Sequence, residues 1–208
     1  MIPIYVKDIK QALQNNCYFT ALSLALALPD ICGCVESPNK SVSERYITWY
    51  DRYIGQSLSE DNKVDDDQNP WLSGELVYNL RNTFLHQGMP TVNSSKVKEE
   101  ANKIDHFILM LGDGSVFNTL AINTELHDKT FSHKMIVVDV SFLCNAICDC
   151  AQWYYENNKT GFSFDFGMIS QNDLIKALEQ EPKEDYRESM KKVFNKKLEK
   201  ENEHYRFI

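Results

Sequence analysis

The sequence lacks the short motifs from which enzyme chemistry is most directly recognised. It has no glycine-rich phosphate loop, no G-x-S-x-G nucleophile elbow and no H-E-x-x-H zinc pair. Glycine and proline are sparse, at 8 and 6 residues, and 5 arginines stand against 17 lysines. The large enzyme classes that depend on those motifs are therefore excluded as interpretations.

Positive charge is also scarce. The formal net charge is −8, and 43% of the residues are hydrophobic while 25% are charged. This composition is typical of a globular protein rather than a disordered chain. Because long nucleic acids and anionic membranes would repel the chain as a whole, any contact with an anionic partner must be local.

No uninterrupted run of apolar residues is long enough to cross a bilayer. The longest, ALSLALAL at 21–28, falls short of the roughly 20 residues required and is followed by Pro29 and Asp30. Polar residues such as Asp8 and Asn15 precede it, which is atypical of a signal peptide. We expect a buried helix segment, a cytoplasmic protein and no membrane partner.

Cysteine is too sparse for a disulfide scaffold, so reduced thiols are expected. The two C-x-C pairs could together supply four thiolates to zinc: Cys32 with Cys34, and Cys148 with Cys150. The usual zinc spacing is C-x2-C, however, and Cys144, Cys148 and Cys150 follow an apolar helical pattern in which cysteine acts as a small hydrophobe. We expect no metal and no cofactor.

Hydrophobic periodicity predicts four long helices and two weaker ones. Serines before three of them are candidate N-caps: Ser43, Ser73 and Ser141. Pro29 is expected to lie near the end of the first helix and Gly33 in the connection that follows it, and Gly88 and Pro90 are expected to end the third helix. The predicted long helices span about 8–28, 43–56, 73–87 and 141–158, and the weaker ones lie near 170–180 and 182–202.

Between residues 104 and 140 the pattern changes to short apolar or alternating runs: HFILMLG, SVFNTLAIN and KMIVVDV. These predict two or three strands of a small sheet, too few for a doubly wound α/β fold. The predicted fold class is mainly α: a single helical-bundle domain over 1–208, with a β insertion at about 104–140 and a helical C-terminal extension at about 165–208.

The third helix carries a strongly asymmetric pattern. At 100° per residue one apolar stripe faces the core, and it consists of Leu76, Val77, Leu80 and Phe84. Arg81 and His86 fall on the opposite face with Asn82 between them. Tyr78 and Leu85 share that face, and their large apolar side chains indicate that another surface packs against it. The simplest candidate is a second copy of the chain across a two-fold axis.

The stretch Arg81-Asn82-Thr83-Phe84-Leu85-His86 resembles the R-x4-H motif, with a polar residue after the arginine, of the HEPN superfamily (higher eukaryotes and prokaryotes nucleotide-binding). Members of that superfamily are helical bundles, commonly dimeric. Many are metal-independent RNases of toxin–antitoxin, abortive-infection and CRISPR systems. The resemblance implies Arg81, Asn82 and His86 as catalytic residues, RNA as substrate, a homodimer, and a cognate antitoxin as a candidate partner.

The specificity of the motif can be judged from the numbers of arginines and histidines in the chain. With 5 arginines and 5 histidines in 208 residues, this spacing arises by chance roughly 0.12 times. The alternative interpretation is a surface arginine and a histidine that favours a helix C-terminus. Two other functions also remain open: a HEPN-like module that binds a nucleotide or protein without catalysis, and a purely structural protein.

Three other features favour ordinary structural interpretations. The acidic run Asp65-Asp66-Asp67 lacks the alternating spacing and the glycine of a calcium loop. The lysine-rich stretch at 191–200 is more typical of a solvated helix face than of an RNA-binding surface. The remaining histidines have no partner that spacing identifies, namely His106, His127, His133 and His204.

Overall fold

The computed structural model describes residues 1–55, 72–87, 97–98, 103–112, 119–125, 132–162 and 170–179. The chain divides into two compact units, Met1–Phe162 and Ser163–Ile208. In the second unit the described element is the helix Gln171–Glu179, with Ser170 Oγ accepting a hydrogen bond from Asp173 N at 3.1 Å. The first unit contains the elements that follow.

The predicted mainly α fold with a small sheet is confirmed. The helices are α1 Ile2–Gln14, α2 Tyr18–Ala25, α3 Leu28–Glu36, α4 Val42–Tyr50, α5 Gly74–Asn82, α6 Val140–Asn157 and, in the second unit, α7 Gln171–Glu179. Two π-helical turns, Asp51–Gly55 and Thr83–Gln87, extend α4 and α5. The predicted spans 43–56, 73–87 and 141–158 therefore match helical segments.

The predicted first helix, 8–28, is wrong in its bounds. Helix α1 begins at Ile2 and ends before Asn15, and Asn16 adopts a positive φ of 56°. Asparagine tolerates this left-handed conformation better than most residues, so Asn16 reverses the chain between α1 and α2. The apolar periodicity runs on across the break, because both helices bury apolar residues in the same core.

The prediction that Pro29 ends a helix is also wrong. Pro29 lies in the first turn of α3, where its missing N–H costs nothing because that N–H would have no helical partner. Gly33, expected to mark a connection, lies inside the same helix.

Two predicted N-caps are displaced. Ser41, rather than Ser43, caps α4 in a reciprocal capping box with Glu44. Asp139, rather than Ser141, caps α6, and its carboxylate accepts a hydrogen bond from Phe142 N at 2.9 Å. The prediction for Ser73 is confirmed, since its hydroxyl accepts a hydrogen bond from Leu76 N at 3.3 Å.

The predicted strands form one three-stranded mixed sheet. The strands are β1 His106–Met110, β2 Thr119–Glu125 and β3 Ser132–Asp139. The order is β1-β3-β2, with β3 parallel to β1 and antiparallel to β2. Strand β3 leads directly into α6, and its buried residues Ile136 and Val138 join the core of the bundle.

The stretch Tyr18–Glu36 is long and apolar enough, by composition alone, to cross a membrane. It consists of α2 and α3 with a turn between them, and its Leu22, Leu26 and Leu28 are fully buried. These residues pack with Ile147 and Cys148 of α6 in one hydrophobic cluster. Most of residues 21–28 are therefore buried in the protein core, as the sequence predicted.

Several sequence-based predictions fall outside the described residues. They concern the acidic loop around Asp65, the helix end at Gly88 and Pro90, the helix at 182–202 with its lysine-rich stretch, and the histidines His127 and His204. The single-domain interpretation of 1–208 stays a prediction.

Candidate active site around Arg81

Two glycines allow α3 and α5 to pack closely on α4. A Cβ at Gly33 of α3 would lie 2.6 Å from the carbonyl oxygen of Arg45, and one at Gly74 of α5 would lie 2.7 Å from that of Ile47. Gly74 N also donates a hydrogen bond to Asp51 Oδ1 at 2.5 Å. Because these contacts fix α3 and α5 on the same helix, side chains from all three helices can meet.

Asp30 of α3 lies between two arginines. Its Oδ1 accepts a hydrogen bond from Arg45 Nε at 2.8 Å, and its Oδ2 lies 4.0 Å from Arg81 Nη2. The second distance is too long for a hydrogen bond but close enough for strong electrostatic attraction. All three side chains are partly buried, with 19% of each arginine and 23% of Asp30 exposed. The cluster carries one more positive than negative charge.

Arg81 makes two further contacts. Its Nη1 donates a hydrogen bond to Asn82 Oδ1 at 3.2 Å, and its Cζ lies 5.9 Å from the centre of the Tyr78 ring, within cation–π range. Its Nε is buried and has no hydrogen-bond partner within the described part of the chain. Asn82, which the resemblance implies as a catalytic residue, is thus a hydrogen-bond partner of Arg81.

Tyr78 is covered from within the chain. Its ring packs edge-on against Tyr46 of α4, with centroids 5.2 Å apart and an interplanar angle of 61°. Tyr46 is fully buried, and none of the described residues forms a hydrogen bond with its hydroxyl. Burial raises the pKa of Tyr46, while the positive charge of Arg81 opposes that effect. Tyr78 therefore gives no reason to expect a second copy of the chain, whereas Leu85 remains 38% exposed.

Helix α5 changes geometry between Arg81 and His86. The buried hydroxyl of Thr83 donates to the carbonyl oxygens of Asn79 at 3.0 Å and Leu80 at 3.1 Å, and the π-helical turn starts at this residue. Such bonding of a threonine to the preceding turn competes with the regular backbone pattern. Position 86 lies in this π-helical turn.

A π-helical turn changes the expected relation between positions 81 and 86. On an α-helix, residues five apart differ by about 140° around the axis. In π-helical geometry the backbone bond links i to i+5, so residues five apart lie more nearly above one another. Backbone positions 81 and 86 are therefore closer together around the helix than the uniform wheel predicted.

The prediction that Arg81 faces away from the bundle is wrong. Its guanidinium turns toward α3, because Asp30 offers an opposite charge there and Tyr78 a ring face. The structure buries Leu76, Val77 and Leu80, as predicted for the apolar stripe that faces the core. Asp30 and Arg45 were not predicted as part of the site. Their spacing carries no signal, since the contact joins three helices that are separate in sequence.

The cysteines do not gather into a metal site. Within the described ranges, which include all six cysteines, no group of three or more His, Cys, Asp or Glu side chains is arranged to hold a metal ion. All six thiols are free. Burial raises the pKa of Cys148 to about 12 and that of Cys32 further, which disfavours the thiolate form that binds zinc.

Comparison with family models, with curated proteins and with solved structures yields no match to this chain. The functional argument therefore rests on the residues around Arg81 and on the motif that contains them.

Proposed function

We propose that this chain is a metal-independent endoribonuclease of the HEPN type, a bacterial toxin or phage-defence protein acting in the cytoplasm. The observation that supports it most is that positions 81 and 86 lie in one continuous helical segment, with Asn82 hydrogen-bonded to Arg81. Arg81 is partly buried in a cluster that carries one more positive than negative charge, although the chain as a whole is acidic.

The proposed reaction uses the RNA's own nucleophile. The 2′-hydroxyl loses its proton to a base and attacks the adjacent phosphorus, and the P–O5′ bond breaks as an acid protonates the leaving oxygen. Histidine titrates near neutral pH and suits this proton transfer. The products are a 2′,3′-cyclic phosphate and a 5′-hydroxyl.

Arg81 has a separate role in this proposal. Its guanidinium stays charged at every physiological pH and presents a planar set of donors to phosphate oxygens. Charge accumulates on those oxygens in the pentacoordinate transition state, so a fixed cation stabilises the transition state more than the ground state. Asn82 supports this role through its hydrogen bond to Nη1.

The proposal includes a homodimer that brings two copies of His86 and Arg81 together, so that one histidine serves as base and the other as acid. Exposed apolar residues adjoin the candidate site and favour this arrangement. Leu85 is 38% exposed, and Phe19 of α2, 59% exposed, stacks on Phe84 with ring centroids 5.7 Å apart.

A non-catalytic binding module is the second candidate. It is favoured by the inward orientation of Arg81, because a guanidinium already attracted by Asp30 is partly neutralised. In that case the protein binds a nucleotide or a protein partner and cuts nothing. Nucleotide that copurifies with the protein, together with an intact RNA pool, would support this candidate over the nuclease.

The two candidates are separated by incubating purified protein with a mixed RNA pool. Arg81→Ala and His86→Ala should each reduce cleavage by about 10²- to 10⁴-fold, whereas Asn82→Ala should be milder. The fold should survive Arg81→Ala, since Asp30 keeps its 2.8 Å bond to Arg45. Arg52→Ala is the matched control, because Arg52 is 56% exposed and pairs with Glu36 instead. Equal cleavage by wild type and His86→Ala would refute the proposed role of His86, and wild-type protein that leaves the pool intact would refute the nuclease.

A further inference from the structure

Arg81 adopts an orientation that is costly by itself. Its Nε is buried and has no hydrogen-bond partner among the residues that the structure describes, and leaving a buried donor unsatisfied costs about 1–3 kcal/mol. An arginine side chain on a helix surface could avoid that cost by turning into solvent. Other contacts must therefore hold the guanidinium inside.

The contacts that hold it differ in charge. Asn82 supplies a neutral acceptor at 3.2 Å, and Tyr78 supplies a ring face at 5.9 Å. Asp30 supplies a full negative charge at 4.0 Å, the one carboxylate that pairs with Arg81 among the described residues. Asp30 is also the contact that neutralises the charge of the guanidinium, which a neutral amide acceptor or a ring face cannot do.

Asp30 is itself fixed in place. Arg45 Nε donates to its Oδ1 at 2.8 Å, and the close approach of Gly33 to the Arg45 backbone sets the distance between the two helices. The hydrogen bond with Asp30 raises the pKa of Arg45. One carboxylate oxygen thus faces Arg45, while the other faces Arg81.

We infer that Asp30, anchored by Arg45, is a positioning residue that fixes the guanidinium of Arg81 for phosphate recognition. The inference rests on the proposed function for its catalytic consequence, whereas the positioning itself is a property of the folded chain. Asp30 touches neither substrate nor reacting atoms and acts through Arg81. The role requires an acidic side chain, because it depends on charge.

Two consequences separate positioning from a merely structural role. In Asp30→Asn the negative charge is lost while a hydrogen-bond acceptor for Arg45 remains, so Arg81 should lose its fixed orientation. If Arg81 acts on the transition state, kcat should fall about tenfold or more, with KM changing by less than about threefold. Asp30→Glu, which keeps the charge on a longer side chain, should recover part of kcat.

The test combines steady-state kinetics on RNA with NMR of the arginine Nε–H groups. The chain has 5 arginines, so the Arg81 signal can be assigned by its loss in Arg81→Lys. We expect Asp30→Asn to shift or broaden that signal. The control is Asp149→Asn, since Asp149 is 69% exposed and pairs with Lys10, and it should leave both the signal and kcat unchanged.

The outcomes distinguish the inference from the function on which it rests. An unchanged Arg81 signal in Asp30→Asn overturns the positioning role, whether or not RNA is cut. Wild-type protein that cuts no RNA overturns the nuclease, while a changed Arg81 signal would still support positioning. If Asp30→Asn fails to fold, the test uses Asp30→Glu. A wild-type kcat in Asp30→Glu, measured together with a displaced Arg81 signal, contradicts the inference.

Discussion

At the scale of single residues, the cysteines illustrate how burial determines reactivity. Cys17 is exposed, whereas Cys32, Cys144 and Cys148 are buried. Burial raises the pKa of the three buried thiols, that of Cys148 to about 12. Because the thiolate is the reactive form, the raised pKa of the three buried thiols slows their modification, and so does their burial.

Ellman's reagent at pH 8 should therefore modify Cys17 first and the buried thiols only as fast as the protein unfolds. All six thiols should react at once in urea. Since an ordinary thiol has a pKa near 9, unfolded thiols ionise above that pH while the buried ones stay neutral. The urea midpoint should thus fall as pH rises above about 9. Native Cys148 reacting as fast as Cys17 would contradict the burial.

The site was only partly predictable at this scale. The sequence indicated Arg81, Asn82 and His86 because their spacing is local and their side-chain chemistry is distinctive. It did not indicate Asp30 or Arg45, since an ion pair between separate helices leaves no periodic trace. The helical wheel also placed Arg81 outward, because a wheel assigns faces without knowing where an opposite charge lies.

At the scale of elements, Gly33 sets the distance between α3 and α4. Gly33→Ala would gain up to about 1 kcal/mol in helix propensity, but its Cβ would lie 2.6 Å from the carbonyl oxygen of Arg45. Overpacking of this kind costs about 1–3 kcal/mol, so urea unfolding should show net destabilisation. The proposed RNA cleavage should fall as well, because the added Cβ moves Asp30 away from Arg45.

The matched control for that variant is Gly112→Ala. A Cβ at Gly112 would meet no atom within 4 Å. Its free energy of unfolding should stay within about 0.5 kcal/mol of wild type. If Gly33→Ala were as stable as Gly112→Ala, the close packing of α3 on α4 would be contradicted.

Element types were more predictable than element ends. Periodicity located α4, α5, α6 and the three strands, because each buries one face against the core. Periodicity predicted one helix where the structure has α1 and α2, because both helices bury residues in the same core. The break between them depends on one backbone angle, the φ of Asn16. Pro29 was misinterpreted because proline is compatible both with the residues after a helix and with the first turn of one.

At the scale of the whole molecule, the proposed dimer predicts a mass of about twice 24.1 kDa in light scattering at micromolar concentration. Phe19→Asp should convert it to a species of the chain mass, because Phe19 is 59% exposed beside the π-helical turn. Ile4→Asp is the control, since Ile4 is 43% exposed on α1. A wild-type monomer would remove the two-histidine arrangement from the proposed mechanism.

The most direct test of the nuclease proposal is the end group left on the 5′ fragment when wild-type protein cuts a defined RNA in EDTA. The mechanism predicts cleavage undiminished by EDTA, a 2′,3′-cyclic phosphate on that fragment, and cleavage reduced about 10²- to 10⁴-fold in His86→Ala. Cleavage that requires added metal, or a 5′ fragment ending in a free 3′-hydroxyl, would contradict it.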